Sequence, residues 1–146
     1  MKVDVLTETV IDRHRAEVAG YAADPDNAPK WYVNIMAVDW ITRPPLAVGS
    51  RVKFLARFLG RRLEYTYEFV ELVAAEKLVM RTAEGPFAME TTYTWDDYGD
   101  RKTRMTLRNR GEPSGFAGLA APMMAAAMRR ANTKDLARLK AVLERV

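Results

Sequence analysis

Apolar and polar residues alternate along much of this chain, which is the pattern of β-strands with one buried face. Residues 51–58 show it most clearly, because Val52, Phe54, Ala56 and Phe58 face one way and the basic residues Arg51, Lys53 and Arg57 face the other. Near Val70 the alternation slips, which predicts a β-bulge. The same pattern predicts seven strands in all, over residues 2–11, 33–42, 51–58, 62–72, 77–83, 87–95 and 103–109.

Helical periodicity is confined to two other stretches. Residues 15–23 predict a short helix with Asp12 as its N-cap, and residues 24–29 a loop or broken helical turn. Residues 113–146 predict a long C-terminal helix, whose second half carries an apolar stripe on a charged cylinder. Its first half sets large apolar side chains among alanines and glycines. There Pro122 is either a hinge inside a longer helix or a first-turn residue.

The order of these elements predicts an α+β fold in one domain, residues 1–146. Consecutive strands joined by short turns form an antiparallel meander, and a sheet with one apolar face must bury that face. One long helix closes the chain. Because sheets twist and curl, we expect a curved sheet of about seven strands wrapped around that helix.

Composition narrows the class of protein further. The chain has no cysteine, no signal-peptide pattern and no apolar run long enough to span a bilayer, so we expect a soluble cytoplasmic protein without membrane insertion. Its net charge is +4, and residues 101–146 hold 11 basic against 3 acidic residues. Basic and aromatic residues do not interleave there, so we interpret the excess as solvated faces and expect no nucleic-acid partner.

Five short motifs in this order resemble a known family. They are the strand at residues 3–11, Asp-Pro-Asp-Asn-Ala-Pro-Lys-Trp at 24–31, Val-Gly-Ser at 48–50, Leu-Gly-Arg-Arg at 59–62, and the closing Asp-Leu-x-x-Leu-Lys-x-x-Leu-Glu at 135–144. Together they resemble the helix-grip fold of the START/birch-pollen-allergen (SRPBCC) superfamily, and within it the polyketide cyclase/dehydrase group. The resemblance covers essentially the whole chain. It implies two short helices after the first strand and a hydrophobic cavity between sheet and C-terminal helix.

The large apolar residues on the expected concave faces are therefore candidate ligand-binding residues. Alanines opposite aromatic rings leave volume for a ligand, and methionines adapt to varied ligand shapes. The alternative is a filled core, since apolar stripes usually belong to the core. The candidates are Trp40, Phe54, Tyr65, Tyr67, Phe69, Phe87, Met89, Tyr93, Trp95, Phe116, Leu119, Met123, Met124 and Met128.

Catalytic residues are not identified by the sequence. His14, the only histidine, lies on a polar stretch and is interpreted as a surface residue, and strand parity points Asp39, Arg81 and Glu90 outward. Buried phenols are better placed to meet a ligand oxygen. No metal or cofactor is expected, because the chain has no His/Cys cluster, no calcium-type loop and no phosphate-binding loop.

Three functions stay open at this stage. The first is binding of a small hydrophobic molecule, such as a lipid, isoprenoid, polyketide or aromatic metabolite; bulky residues at Ala125 or Ala126 should then abolish binding. The second is a cyclase or dehydratase that uses the same cavity and an inward-facing acid or base. The third is a protein-interaction module of the chaperone-activator type. An exposed edge strand could also support a homodimer.

Overall fold

A computed structural model describes residues 2–85, 87–112 and 120–145, which form seven strands, three α-helices and one 3-10 turn. The strands are β1 (Val3–Ile11), β2 (Ile35–Trp40), β3 (Arg51–Phe58), β4 (Arg61–Val73), β5 (Lys77–Glu84), β6 (Ala88–Tyr98) and β7 (Lys102–Glu112). The helices are α1 (Arg15–Ala22), α2 (Ala28–Trp31) and α3 (Ala121–Leu143), and the 3-10 turn at Pro25–Asn27 joins α1 to α2.

All seven strands belong to one curved antiparallel sheet in the order β1-β7-β6-β5-β4-β3-β2. The meander from β2 to β7 is continued by β1, which pairs with β7 from Val3 opposite Gly111 to Ile11 opposite Thr103. Helix α3 packs along β1 and against α2. The predicted α+β helix-grip architecture, with its curved sheet, two short helices and long C-terminal helix, is confirmed.

Strand parity explains which side chains face the interior. In β1, Val3, Val5, Thr7 and Ile11 are buried and their neighbours are exposed or half-buried. The register of β4 against β5 shifts between Phe69 and Glu71, which confirms the predicted bulge. Outward-facing residues form exposed ion pairs instead.

Several predicted boundaries are wrong. Strand β2 covers residues 35–40 rather than 33–42, and β6 continues to Tyr98, so Asp96 and Asp97 lie in a strand rather than in a loop. The N-cap of α1 is His14, not Asp12, and no side chain caps this helix. The backbone N–H of Asp12 instead donates to the Glu144 carboxylate (2.8 Å).

Helix α3 begins close to Pro122. Ala120 is its N-cap, with an extended backbone (φ −75°, ψ 154°), and Pro122 lies in the first turn. A proline is favourable there because first-turn N–H groups have no partner within the helix. The first-turn interpretation of Pro122 therefore holds, and the hinge is excluded. The earlier part of the predicted helix, including Phe116 and Leu119, lies outside the described residues.

The buried apolar residues form two clusters. The larger one joins α1, α2 and the second half of α3 to the sheet around Trp31, Phe69 and Leu136. The smaller one joins the first half of α3 to the sheet around Val5, Leu63 and Met124. No helix in the described ranges has the length and apolar character needed to cross a bilayer.

Candidate functional site

A cavity of about 150 Å³ lies between the sheet and α3. Its walls include residues of both apolar clusters, among them Phe54 and Phe69 of the larger one and Met89 and Met124 of the smaller one. An apolar cavity of this volume is large enough to take a benzene-sized molecule. The two clusters therefore do not merge into one filled core.

Small side chains account for the empty volume. Ala22 at the end of α1, Ala28 in α2, Ala56 in β3 and Ala131 in α3 all line the cavity. Aromatic rings also line the cavity, and Tyr65 lies edge-on to Phe87 with ring centroids 5.5 Å apart. An alanine facing a rigid ring cannot fill the space that a leucine would occupy, so the space stays open.

Nine of the fourteen candidate ligand-binding residues line this cavity. They come from β3, β4 and β6, from the residue before β6 and from α3, so strand parity and helical periodicity place them on the correct faces. The nine are Phe54, Tyr65, Tyr67, Phe69, Phe87, Met89, Tyr93, Met124 and Met128.

Three other candidates do not line the cavity. Trp40 lies at the end of the edge strand β2, where its Nε1 donates to Asp26 in the 3-10 turn (2.8 Å). Trp95 is buried, but in the part of β6 that α1 covers. Met123 is 59 % exposed, because it points away from the sheet. Phe116 and Leu119 lie outside the described residues.

Polar side chains also line the cavity, and most of them are not among the candidates predicted from the sequence. The hydroxyls of Tyr32, which follows α2, and Tyr93 in β6 are hydrogen-bonded to each other. Burial raises the pKa of both phenols well above the ordinary value, and the nearby Asp135 carboxyl raises both further. Both phenols therefore stay protonated throughout the physiological range.

Asp135 and Asn132 are the buried polar residues of α3. One carboxylate oxygen of Asp135 accepts a hydrogen bond from the backbone N–H of Val33 (2.8 Å), which ties α3 to the segment after α2. Burial raises the pKa of Asp135 to about 7, although the Val33 N–H and the charge of Arg138 oppose the shift. The Nδ2 of Asn132 is buried without a hydrogen-bond partner among the described residues.

A second polar set lies on the sheet. The Thr91 hydroxyl donates to Oδ1 of Asn109 (2.5 Å) and lies within hydrogen-bonding reach of Tyr67. Burial raises the pKa of Tyr67 to about 12, against the effect of Thr91. Burial also raises the pKa of Tyr65. Thr91, Asn109 and Tyr67 have hydrogen-bond partners within the protein, which distinguishes them from Asn132.

The sequence did carry a signal for Asn132 and Asp135. The apolar stripe of α3 continues towards its N-terminus at three- and four-residue spacing, from Leu143 and Leu139 to Met128 and Met124. Asn132 and Asp135 occupy interior positions of that stripe. A polar residue at such a position is an indicator of a functional site, because burial without a full set of partners is costly.

His14 and Glu90 face outward in the described part of the chain, as predicted. His14 is exposed. Glu90 points outward and pairs with Arg110 (2.8 Å) and Arg81 (3.2 Å) on the outer face of the sheet. Within residues 2–85, 87–112 and 120–145 no three acidic or histidine side chains converge on a point where a metal ion could bind.

The sequence matches one protein family over residues 2–144, and that family is described as "Polyketide cyclase / dehydrase and lipid transport". The chain belongs to this family. The match extends over β1, the sheet and α3, so it includes every element that lines the cavity. It agrees with the predicted SRPBCC-type, polyketide cyclase-like grouping. No match is found among curated protein sequences.

Solved structures with the same fold have low sequence identity to this chain. A START superfamily protein from Mycobacterium smegmatis is 12 % identical with a TM-score of 0.84, and the alignment covers 97 % of both chains. The Zhui aromatase/cyclase from Streptomyces sp. R1128 is 17 % identical (TM-score 0.81; 99 % of this chain, 95 % of that one). Major latex-like protein 151 from Panax ginseng is 15 % identical (TM-score 0.78; 99 % of both). These likenesses establish the fold.

Proposed function

We propose that this protein binds a small, largely apolar molecule in the cavity between the sheet and α3. The observation that carries the proposal is the cavity itself, which aromatic rings and methionines surround at the centre of the molecule. Burial of an apolar ligand there stabilises the complex by about 25 cal/mol for each Å² removed from water. Methionines such as Met124 and Met128 adapt their shape to the ligand.

The family description and the fold neighbours support this proposal without naming a ligand. The family is described by both cyclase/dehydrase chemistry and lipid transport, and both require an apolar molecule to be held by the protein. The volume of about 150 Å³ favours a compact ligand, such as a monocyclic aromatic or a short terpenoid, over a long acyl chain.

The first experiment is native mass spectrometry of the purified protein, before and after denaturation. A small apolar molecule that co-purifies and is released on unfolding would identify the ligand class directly. The second experiment is titration with 4-ethyltoluene, followed by calorimetry or by NMR shifts of the methionine methyl groups. Saturable binding at one site is the expected result, and its absence would contradict the proposal.

Two alanine positions of α3 provide a matched pair of variants. Ala131 lines the cavity, whereas Ala126 is exposed on the other side of the helix. We expect Ala131→Phe to abolish binding of 4-ethyltoluene while the protein stays folded, and Ala126→Phe to leave the affinity unchanged. The sequence led us to expect this effect at Ala125 or Ala126, but neither residue lines the cavity, and a phenyl ring at the exposed Ala126 would enter solvent. Equal affinity in the wild type and Ala131→Phe would exclude this cavity as the binding site.

An acid–base enzyme is the second candidate function, because a specific observation favours it. Asp135 lies in the cavity with its pKa raised to about 7, the range in which one carboxyl group can both accept and release a proton near neutral pH. Removal of a proton next to a carbonyl is the first step of cyclisation chemistry. The apolar walls favour ligand binding, and the acidic group favours catalysis on the bound ligand.

A minimal assay separates the two candidates. 1-Phenylbutane-1,3-dione in D₂O exchanges the protons between its carbonyl groups, and NMR follows the loss of their signal. An enzyme of this type should accelerate the exchange, and Asp135→Asn should remove most of the acceleration without weakening binding of the diketone. Binding without acceleration would leave the protein as a carrier rather than a catalyst.

A further inference from the structure

Two buried polar side chains of α3 have fewer hydrogen-bond partners than their chemistry calls for. Asn132 is 5 % exposed and Asp135 is 2 % exposed, and both line the cavity. The amide nitrogen of Asn132 has no partner, and the Val33 N–H is the only hydrogen bond to the Asp135 side chain among the described residues. Buried polar groups are nearly always paired, so each shortfall requires an explanation.

Both shortfalls lie on the same face of the helix. Asn132 and Asp135 are three residues apart, and side chains at this spacing on an α-helix are neighbours with their Cβ atoms about 5–6 Å apart. One small group can therefore contact both side chains. An amide N–H₂ offers hydrogen-bond donors, and a carboxyl group offers an acceptor whether or not it carries a proton.

The neighbouring tyrosines do not supply the missing partners. The Tyr32 and Tyr93 hydroxyls are hydrogen-bonded to each other, and neither is hydrogen-bonded to Asp135. Their rings instead form apolar wall close to the carboxyl group. The Thr91 hydroxyl is already bonded to Asn109 across the sheet. Residues 2–85, 87–112 and 120–145 supply no further hydrogen bond to either side chain, so a molecule inside the cavity is the partner that we consider.

We infer that the ligand of this cavity is an apolar molecule with a hydroxyl group, a phenol or an alcohol, whose oxygen accepts from Asn132 and whose hydrogen is donated to Asp135. The inference rests on the proposed binding function and specifies its ligand class. A ketone or an ether accepts hydrogen bonds but cannot donate one to Asp135. An ammonium group donates but cannot accept one from Asn132. When Asp135 is ionised, only a group with both capacities satisfies the pair, because a protonated Asp135 would itself donate to a ketone.

Two probes of nearly equal shape test the inference. 4-Ethylphenol and 4-ethyltoluene differ only by a hydroxyl in place of a methyl group, and both are uncharged at pH 7. The quantity to measure is the ratio of the two probes' affinities, determined once for the wild-type protein and once for each variant. The change in this ratio between proteins is independent of the different costs of removing the two probes from water, because these costs are the same for every protein. Isothermal calorimetry or NMR titration supplies both affinities.

Two variants remove the proposed contacts and a third is their control. Asn132→Leu replaces the amide by an apolar side chain of similar size. Asp135→Asn keeps an acceptor for the Val33 N–H but presents N–H₂ in place of the second oxygen. Thr103→Val removes a buried hydroxyl that donates to the Arg13 carbonyl (2.7 Å) and does not line the cavity. We expect the preference for 4-ethylphenol to fall about five- to tenfold in each of the first two, the effect of one hydrogen bond, and to be unchanged in Thr103→Val.

The outcomes separate this inference from the binding proposal. If both probes bind but the affinity ratio is the same in the wild type, Asn132→Leu and Asp135→Asn, the hydroxyl assignment is wrong and the binding proposal stands. This is also the result expected if a resident water molecule bridges the two side chains. An equal fall in Thr103→Val would likewise overturn the assignment. If neither probe binds the wild type, both proposals are overturned.

Discussion

Replacement of Asp135 by asparagine should make the protein more stable, and increasingly so as the pH rises. Burial raises the pKa of this carboxyl group from 3.8 to about 7. Below pH 4 the group is protonated in both the folded and the unfolded chain and has no effect. Between pH 4 and 7 the unfolded chain loses the proton while the folded chain keeps it, so the free energy of unfolding falls as the pH rises. Above pH 7 the loss is complete.

The size of the effect follows from the pKa difference. Each tenfold change in an ionisation constant corresponds to about 1.4 kcal/mol, so a pKa of about 7 in place of 3.8 costs roughly 4 kcal/mol of stability above pH 7. At pH 5 only about 1.5 kcal/mol of this cost is present. The stabilising effect of Asp135→Asn should therefore be about 3 kcal/mol larger at pH 8 than at pH 5.

Urea unfolding of both proteins at pH 5 and pH 8 measures this difference. Three exposed carboxylates (Asp4, Glu90 and Glu144) have lowered pKa values because arginine or lysine side chains hydrogen-bond to them, so they oppose the trend by losing their contribution at low pH. They are identical in both proteins and cancel in the comparison. If the stability difference between the wild type and Asp135→Asn were the same at both pH values, the carboxyl group would not be buried as described.

Two further predictions concern packing and ionisation. Gly111→Ala should destabilise the protein by about 1–3 kcal/mol or more, because a Cβ at this position would lie 2.1 Å from the carbonyl oxygen of Ala88. Gly20→Ala in helix α1 should instead stabilise the protein by roughly 0.5–1 kcal/mol, because a Cβ there meets nothing within 4 Å. Urea unfolding measures both variants, and an equal change in the free energy of unfolding for the two would contradict both expectations. At pH 11 the ultraviolet spectrum should show that fewer than six of the six tyrosines are ionised, because burial raises the pKa of four of them. Ionisation of all six tyrosines in a protein that circular dichroism shows to be folded would contradict this prediction.

The fold was predictable because its main signals are local. Alternation along a strand fixes the face on which each side chain lies, so Val52, Phe54 and Ala56 are buried as expected. The bulge near Val70 is visible as a slip in that alternation. Boundaries were less predictable, since β6 extends to Tyr98 through pairing with β7 despite the acidic residues on the way. Cross-strand pairing decides such ends, and a single strand's sequence does not show it.

The outline of the cavity was only partly predictable for a related reason. Strand parity predicts that Tyr93 and Trp95 lie on the same face of β6. It does not predict that α1 packs over Trp95, whereas Tyr93 lines the cavity. The Nε1 of Trp40 donates a hydrogen bond to Asp26, and both residues belong to segments distant from α3. Such differences depend on how helices lie across the sheet. Periodicity within one element contains no information about that arrangement.

The buried polar residues of α3, Asn132 and Asp135, indicate more about function than the apolar walls of the cavity do. Leucine at positions 132 and 135 would continue the stripe of Leu136, Leu139 and Leu143 and would remove the unpaired amide and the buried carboxyl group. Such apolar replacements of buried polar groups are commonly neutral or stabilising. The Val33 hydrogen bond and the charge of Arg138 oppose the rise in pKa, and a cost of roughly 4 kcal/mol remains at Asp135 without compensation among the described residues. A ligand that hydrogen-bonds to both side chains would supply that compensation on binding, which couples recognition at this site to the stability of the whole protein.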